Sequence, residues 1–130
     1  MSDFTIKNFM DDIEDAAAKR GDSGIQARFA RGQIESQHLG VSHFTFGPTY
    51  RSPFGHRHRE QEEVYVIVSG SGRIRLGEEL RDLRPWDLIR VAPRVARGFE
   101  AGPDGLELIA IGNDRPEGGD GEMLPEFWDS

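Results

Sequence analysis

Cysteine is absent from this 130-residue chain. That removes disulfides, thiol nucleophiles and cysteine–zinc sites together. Lysine is almost absent: Lys7 and Lys19 are the only two, and the other basic residues are arginines, a bias that genomic base composition explains most simply. Positive charge is in deficit, with Lys+Arg 16 against Asp+Glu 23 and a net charge of −7. Non-specific nucleic-acid binding relies on the opposite balance, so no nucleic-acid partner is expected. No apolar run approaches the ~18 residues of a membrane span. Met1-Ser2-Asp3-Phe4 lacks the basic and then apolar opening of a signal peptide. A GxSxG elbow is missing, which leaves nucleophilic hydrolysis without a carrier. Gly70-Ser71-Gly72 lacks the lysine of a phosphate loop, reads as a turn between two strands, and gives no reason to expect a nucleotide cofactor. These absences predict a cytoplasmic protein with no membrane contact, and the length predicts one domain with one core.

What is present reads mainly as strand. Residues 4–9 alternate apolar and polar, which predicts a short strand. Residues 11–20 predict a short helix, with acids early, Lys19-Arg20 in its last turn and Gly21 as the stop. A longer helix from Thr5, with Ile6, Phe9, Met10 and Ile13 on one face, fits as well. From Ile25 onward short strands are expected at 26–30, 41–46, 63–69, 73–76, 79–83, 88–91, 97–100 and 106–111. Turn residues such as Gly77-Glu78, Pro85-Trp86 and Gly102-Pro103-Asp104-Gly105 separate them. Short strands with regular turn signals predict an all-β sandwich or barrel of about ten strands. Residues 64–68 are apolar on both faces, so a second layer, the N-terminal segment or a second chain should cover the outer side. That favours a homodimer. Residues 113–121 are polar and glycine-rich, and Met123, Leu124, Phe127 and Trp128 then form an apolar end that should fold back onto the barrel or onto a partner subunit.

The chemistry gathers at His56-Arg57-His58-Arg59-Glu60-Gln61-Glu62-Glu63. Residues two apart on a strand share a face, so His56 and His58 can aim at one point. A reversal at 59–62 returns Glu63 toward them. Two imidazoles and one carboxylate suit a divalent first-row metal, Fe, Mn, Ni or Zn. Glu62 is the alternative carboxylate. Tyr65 shares the face of Glu63 and can line the pocket as donor or acceptor. His43 sits mid-strand, where a pocket position and a hydrogen-bonded core position are both open.

His56-x-His58, four residues, Glu63, six residues and Gly70 resemble the first motif of the cupin family. Residues 85–99 resemble the second, with Trp86 where a glycine is usual and Arg97 where a histidine is usual. The resemblance covers roughly residues 41–112. It implies a cupin-type double-stranded β-helix, or jelly-roll barrel, as a single domain over 1–112. An N-terminal extension would occupy 1–40 and a tail 113–130. It also implies a ligand pocket at the barrel mouth beside a metal. Arginine has no lone pair to offer a metal. At ~6 Å, with an effective dielectric of about 20, it opposes each positive unit of a cation by roughly 3 kcal/mol. Two arrangements follow. In one, His56, His58 and Glu63 hold the metal, and Arg97 clamps the oxygen of a small anionic substrate. In the other, Arg97 pairs with Glu63 in a metal-free binding pocket. The functions that follow are a metal-dependent oxygenase, isomerase or lyase, a non-catalytic ligand sensor, or a dimeric accessory protein with a vestigial pocket.

Overall fold

The computed structural model describes residues 3–129. Its strands are β1 (Ile25–Phe29), β2 (Gly40–Phe46), β3 (Gly55–His58), β4 (Glu63–Leu76), β5 (Glu79–Leu83), β6 (Leu88–Val91), β7 (Arg97–Gly112) and β8 (Gly121–Leu124). Every pairing between them is antiparallel. One path runs β1-β2-β7-β3-β8, and β4 joins it through β7 while also carrying β5 and β6. The fold is an all-β jelly roll.

Alternation builds the core. In the β4–β7 ladder, Tyr65 lies opposite Ala110 and Ile67 opposite Leu108, and all four are buried. Further along, Ile74 lies opposite Phe99 in the same core cluster. Each such buried aliphatic side chain is worth about 1.5–3 kcal/mol relative to exposure. The intervening Val64, Val66 and Ile109 are half-buried, and Leu88 beside Val66 is 72% exposed.

The described residues form eight strands against the expected ten: two anticipated turns are absent and no strand forms over residues 4–9, while β3 and β8 are strands the sequence does not mark. Residues 70–72 and 102–105 do not reverse the chain; β4 and β7 run on through them, 14 and 16 residues long. The glycines serve a register change instead, with shifts between Ile67 and Ser69 and between Gly70 and Gly72. Gly70 has φ +84°, and a Cβ there would overlap the Gly105 carbonyl oxygen. Glycine alone meets both demands.

The N-terminal expectations also need correction. Residues 4–8 lie outside any strand, and the helix α1 covers only Phe9–Asp12, capped by the Asn8 side chain. Ile13 ends it in an extended conformation. Residues 13–17 then attach to β1: Ala16 N–H donates to the Ala27 carbonyl, and the Asp15 carboxylate accepts from the N–H groups of Ala17 and Ala27. Those bonds replace the ladder that a helix over 11–20 needs. A short 3-10 turn, Ala18–Arg20, ends at Gly21 with φ +77°.

The C-terminal segment folds onto β3. β8 pairs with it from Gly55↔Leu124 to His58↔Gly121. The Phe127 ring covers Gly55, where a Cβ would collide with it. Trp128 donates its indole N–H to the Ser52 carbonyl at 2.7 Å.

Candidate metal centre

β3 presents His56 and His58 on one face, with ring centroids 5.2 Å apart and planes nearly perpendicular at 87°. β7 passes alongside, so His56 faces Arg97 in register. After a bend at 59–60 the chain enters β4 at Glu63. The bend is pinned by distant side chains. Asp120 Oδ2 accepts the N–H groups of Glu60 and Gln61 at 2.7 and 2.9 Å, and Asn113 Oδ1 accepts that of Glu62 at 2.9 Å.

One oxygen, Glu63 Oε1, is the hub of the cluster. It lies 3.3 Å from His56 Nε2, 3.1 Å from His58 Nε2, 2.5 Å from the Tyr65 hydroxyl and 3.1 Å from Arg97 Nη2. His56, His58 and Glu63 form a group whose ligand atoms lie within 4.8 Å of one another. Ligands at ~2.1 Å from a metal and ~90° apart stand ~3.0 Å from each other. The two histidine–carboxylate separations therefore suit a common cation. The remaining His58 nitrogen, Nδ1, meets Asp120 Oδ1 at 2.9 Å. A carboxylate behind a ligating histidine is the usual outer partner in metal sites. The donor set fits a divalent metal.

The electrostatics follow from these contacts. Burial would raise the Glu63 pKa, but the imidazoles of His56 and His58 and the Tyr65 hydroxyl beside it outweigh burial and hold the carboxyl well below its usual range. Burial would lower the His58 pKa, but Glu63 and Asp120 outweigh it and raise it. Tyr65 is pushed upward by burial and by the Glu63 charge, so its hydroxyl stays a donor. Asp120 is drawn down to about 2: burial opposes this, and the two backbone bonds and His58 prevail.

Arg97 is 0% exposed. Nε donates to the Tyr65 hydroxyl, Nη1 to the Pro93 and Val95 carbonyls, and Nη2 to Glu63. Its fork is thus committed to protein acceptors. Glu62 is exposed and pairs with Arg90 at 3.1 Å, outside the cluster. His43 is also outside it, bonded to Glu107 at 2.7 Å and packed against the Phe9 ring at a tilt of 38°. Asp120 escaped the sequence reading. An aspartate in a glycine-rich polar stretch looks like solvated linker, and nothing local marks it.

No protein-family model matches the sequence, and no curated protein matches it. Solved structures do resemble it. A cupin protein from Bacteroides fragilis superposes with a TM-score of 0.73 at 22% identity, over 89% of this chain and 88% of that one. The polyketide cyclase RemF from Streptomyces resistomycificus gives 0.74 at 16% identity, over 96% and 92%. KdgF from a Halomonas species gives 0.65 at 22% identity, over 90% and 98%. The chain therefore has the cupin fold, the architecture that the two sequence motifs imply. Among the described residues no helix is long and apolar enough to cross a membrane.

Proposed function

We propose that this is a small-molecule-binding cupin in which His56, His58 and Glu63 hold one divalent transition metal, Fe, Mn, Ni or Zn. Its reaction would be of the oxygenase, isomerase or lyase class, on a small anionic metabolite. The observation that carries this reading is the pair of Nε2 atoms 3.3 and 3.1 Å from one carboxylate oxygen, with Asp120 behind His58. A metal held there supplies Lewis acidity toward a ligand oxygen. Charge favours an anion as that ligand. Glu63 and Asp120 bring two negative charges and Arg97 one positive, so a divalent cation leaves the site net positive.

Arg97 and Tyr65 serve this site by holding Glu63. The guanidinium gives the carboxylate a buried cationic partner at 3.1 Å, and the hydroxyl fixes its direction. A clamp on substrate would need an exposed face of Arg97, which the bonds to Pro93, Val95 and Tyr65 occupy. We assign Arg97 and Tyr65 to positioning in place of direct substrate contact. A homodimer accords with the exposure of Leu88 and of Phe4 and Ile6, which are 74% and 85% exposed.

Titration with Co²⁺, followed by its visible absorption, tests the metal. One equivalent bound in the wild type and none in His58→Ala is the expected result. The Arg97–Glu63 pair supports a second reading, a metal-free ligand sensor, because Glu63 already has a cationic partner at 3.1 Å. No cobalt uptake together with thermal stabilisation by small carboxylates would favour that reading. Neither response would leave the accessory protein.

A further inference from the structure

The least expected residue of the cluster lies 62 positions from the histidine it touches. Asp120 is 3% exposed and stands at the head of β8, in the segment that the sequence presents as a linker. Its two oxygens have separate partners. Oδ2 takes the backbone N–H groups of Glu60 and Gln61, and Oδ1 takes His58 Nδ1. We propose that Asp120 is a positioning residue. Its carboxylate keeps the ring proton of His58 on Nδ1, so that Nε2 offers its lone pair to the cation, and the C-terminal segment thereby completes the site. The metal part of this rests on the function proposed above; the tautomer part does not.

The argument is one of donors and acceptors. An ionised carboxylate only accepts, so the nitrogen facing Asp120 must carry hydrogen. Nε2 also faces a carboxylate, Glu63, but that oxygen already receives Tyr65 and Arg97 and has His56 Nε2 beside it. When His58 holds one ring proton, Asp120 offers it the less crowded acceptor. A free imidazole has no such constraint. The segment is fixed strongly enough to impose it: β8 pairs with β3 as far as His58↔Gly121, and Arg75 donates to the Phe127 carbonyl at 2.5 Å.

Asp120→Asn separates this role from simple support. An amide has one accepting and one donating end. Its oxygen satisfies more donors by turning to Glu60 and Gln61, where it retains two bonds. The NH2 group then faces His58 Nδ1, which must accept, and the ring proton moves to Nε2. Heteronuclear NMR of the imidazole nitrogens in the metal-free protein, over a pH series carried upward until the His58 ring holds one proton, reads the tautomer. We expect Nδ1–H in the wild type and Nε2–H in Asp120→Asn, with the amides of Glu60 and Gln61 still protected from exchange. Co²⁺ affinity should fall about 10- to 100-fold, the usual effect of losing an outer partner of a metal ligand. An Nε2–H wild type overturns the proposal without any variant. So does an affinity loss with no change of tautomer. A tautomer switch in a protein that takes up no metal supports the role of Asp120 and overturns the metal reading alone.

Discussion

Arg97→Met removes the cation that holds Glu63 while keeping an unbranched, adaptable apolar side chain in its place. Arg97 is fully buried, and Glu63 exposes only 14% of its side chain. The variant leaves that carboxylate without its guanidinium, takes the Arg97 donor from the Val95 carbonyl, and leaves the Pro93 carbonyl with the His58 N–H alone. Breaking a buried pair from one side costs about 3–5 kcal/mol, because the surviving charge stays desolvated. In a domain of this size that lowers Tm by roughly 10–20 °C. Two additions identify the cause. Arg97→Met combined with Glu63→Gln removes the orphaned charge and should recover part of the loss, by roughly 1–3 kcal/mol of coupling. Metal should also rescue the single variant: at a free concentration about 100 times Kd, binding adds ~2.7 kcal/mol. Urea unfolding followed by circular dichroism, with and without Ni²⁺, measures all of these terms. A single variant within ~0.5 kcal/mol of wild type would refute the claim that Arg97 carries Glu63. A double variant no more stable than the single would place the loss on the two carbonyls and not on the charge.

Three further outcomes follow from the same structure. Gly70→Ala should cost more than ~2 kcal/mol in urea unfolding, since it combines φ +84° with an overlap on the Gly105 carbonyl oxygen. Phe127→Ala should destabilise by about 3 kcal/mol and speed amide exchange across β8, because that ring packs the segment against Gly55. Burial and the bond to Asp22 raise the Tyr50 hydroxyl from 10.0 to about 12. The unfolded chain therefore loses this proton first. The stabilisation is complete below pH 10 and is lost as pH rises toward about 12, by roughly 1 kcal/mol after solvent screening. Tyr50→Phe should abolish that dependence in urea midpoints measured across the range.

The first motif was legible because its parts are local. His56, His58 and Glu63 fall within eight residues, so strand periodicity and one bend bring them together. Gly70 was legible as a special position, but its use was not. A glycine that permits a register shift reads like one that permits a turn, and only the long-range ladder of β4 with β7 separates the two. Trp86 adopts φ +73° where the family motif has a glycine, so the odd substitution kept the backbone shape. The helix expected over 11–20 failed for a tertiary reason: the Asp15 carboxylate bonds to β1, which local propensity cannot foresee. Arg97 stands out because it occupies a motif position where a histidine is usual, yet its commitment to Tyr65 depends on two chain segments meeting, the 93–97 stretch and β4. Asp120 was invisible for the same reason. Its meaning comes from His58, Glu60 and Gln61, distant in sequence and brought beside it by the pairing of β8 with β3.

Elemental analysis of the chain, purified without chelator or histidine tag and compared with Glu63→Gln, tests the central claim most directly. About one transition metal per chain in the wild type and little in the variant is the expected result. No metal in either protein, even after incubation with Fe²⁺, Mn²⁺, Ni²⁺ and Zn²⁺, would contradict it, leaving the Arg97–Glu63 pair as the permanent state of the site.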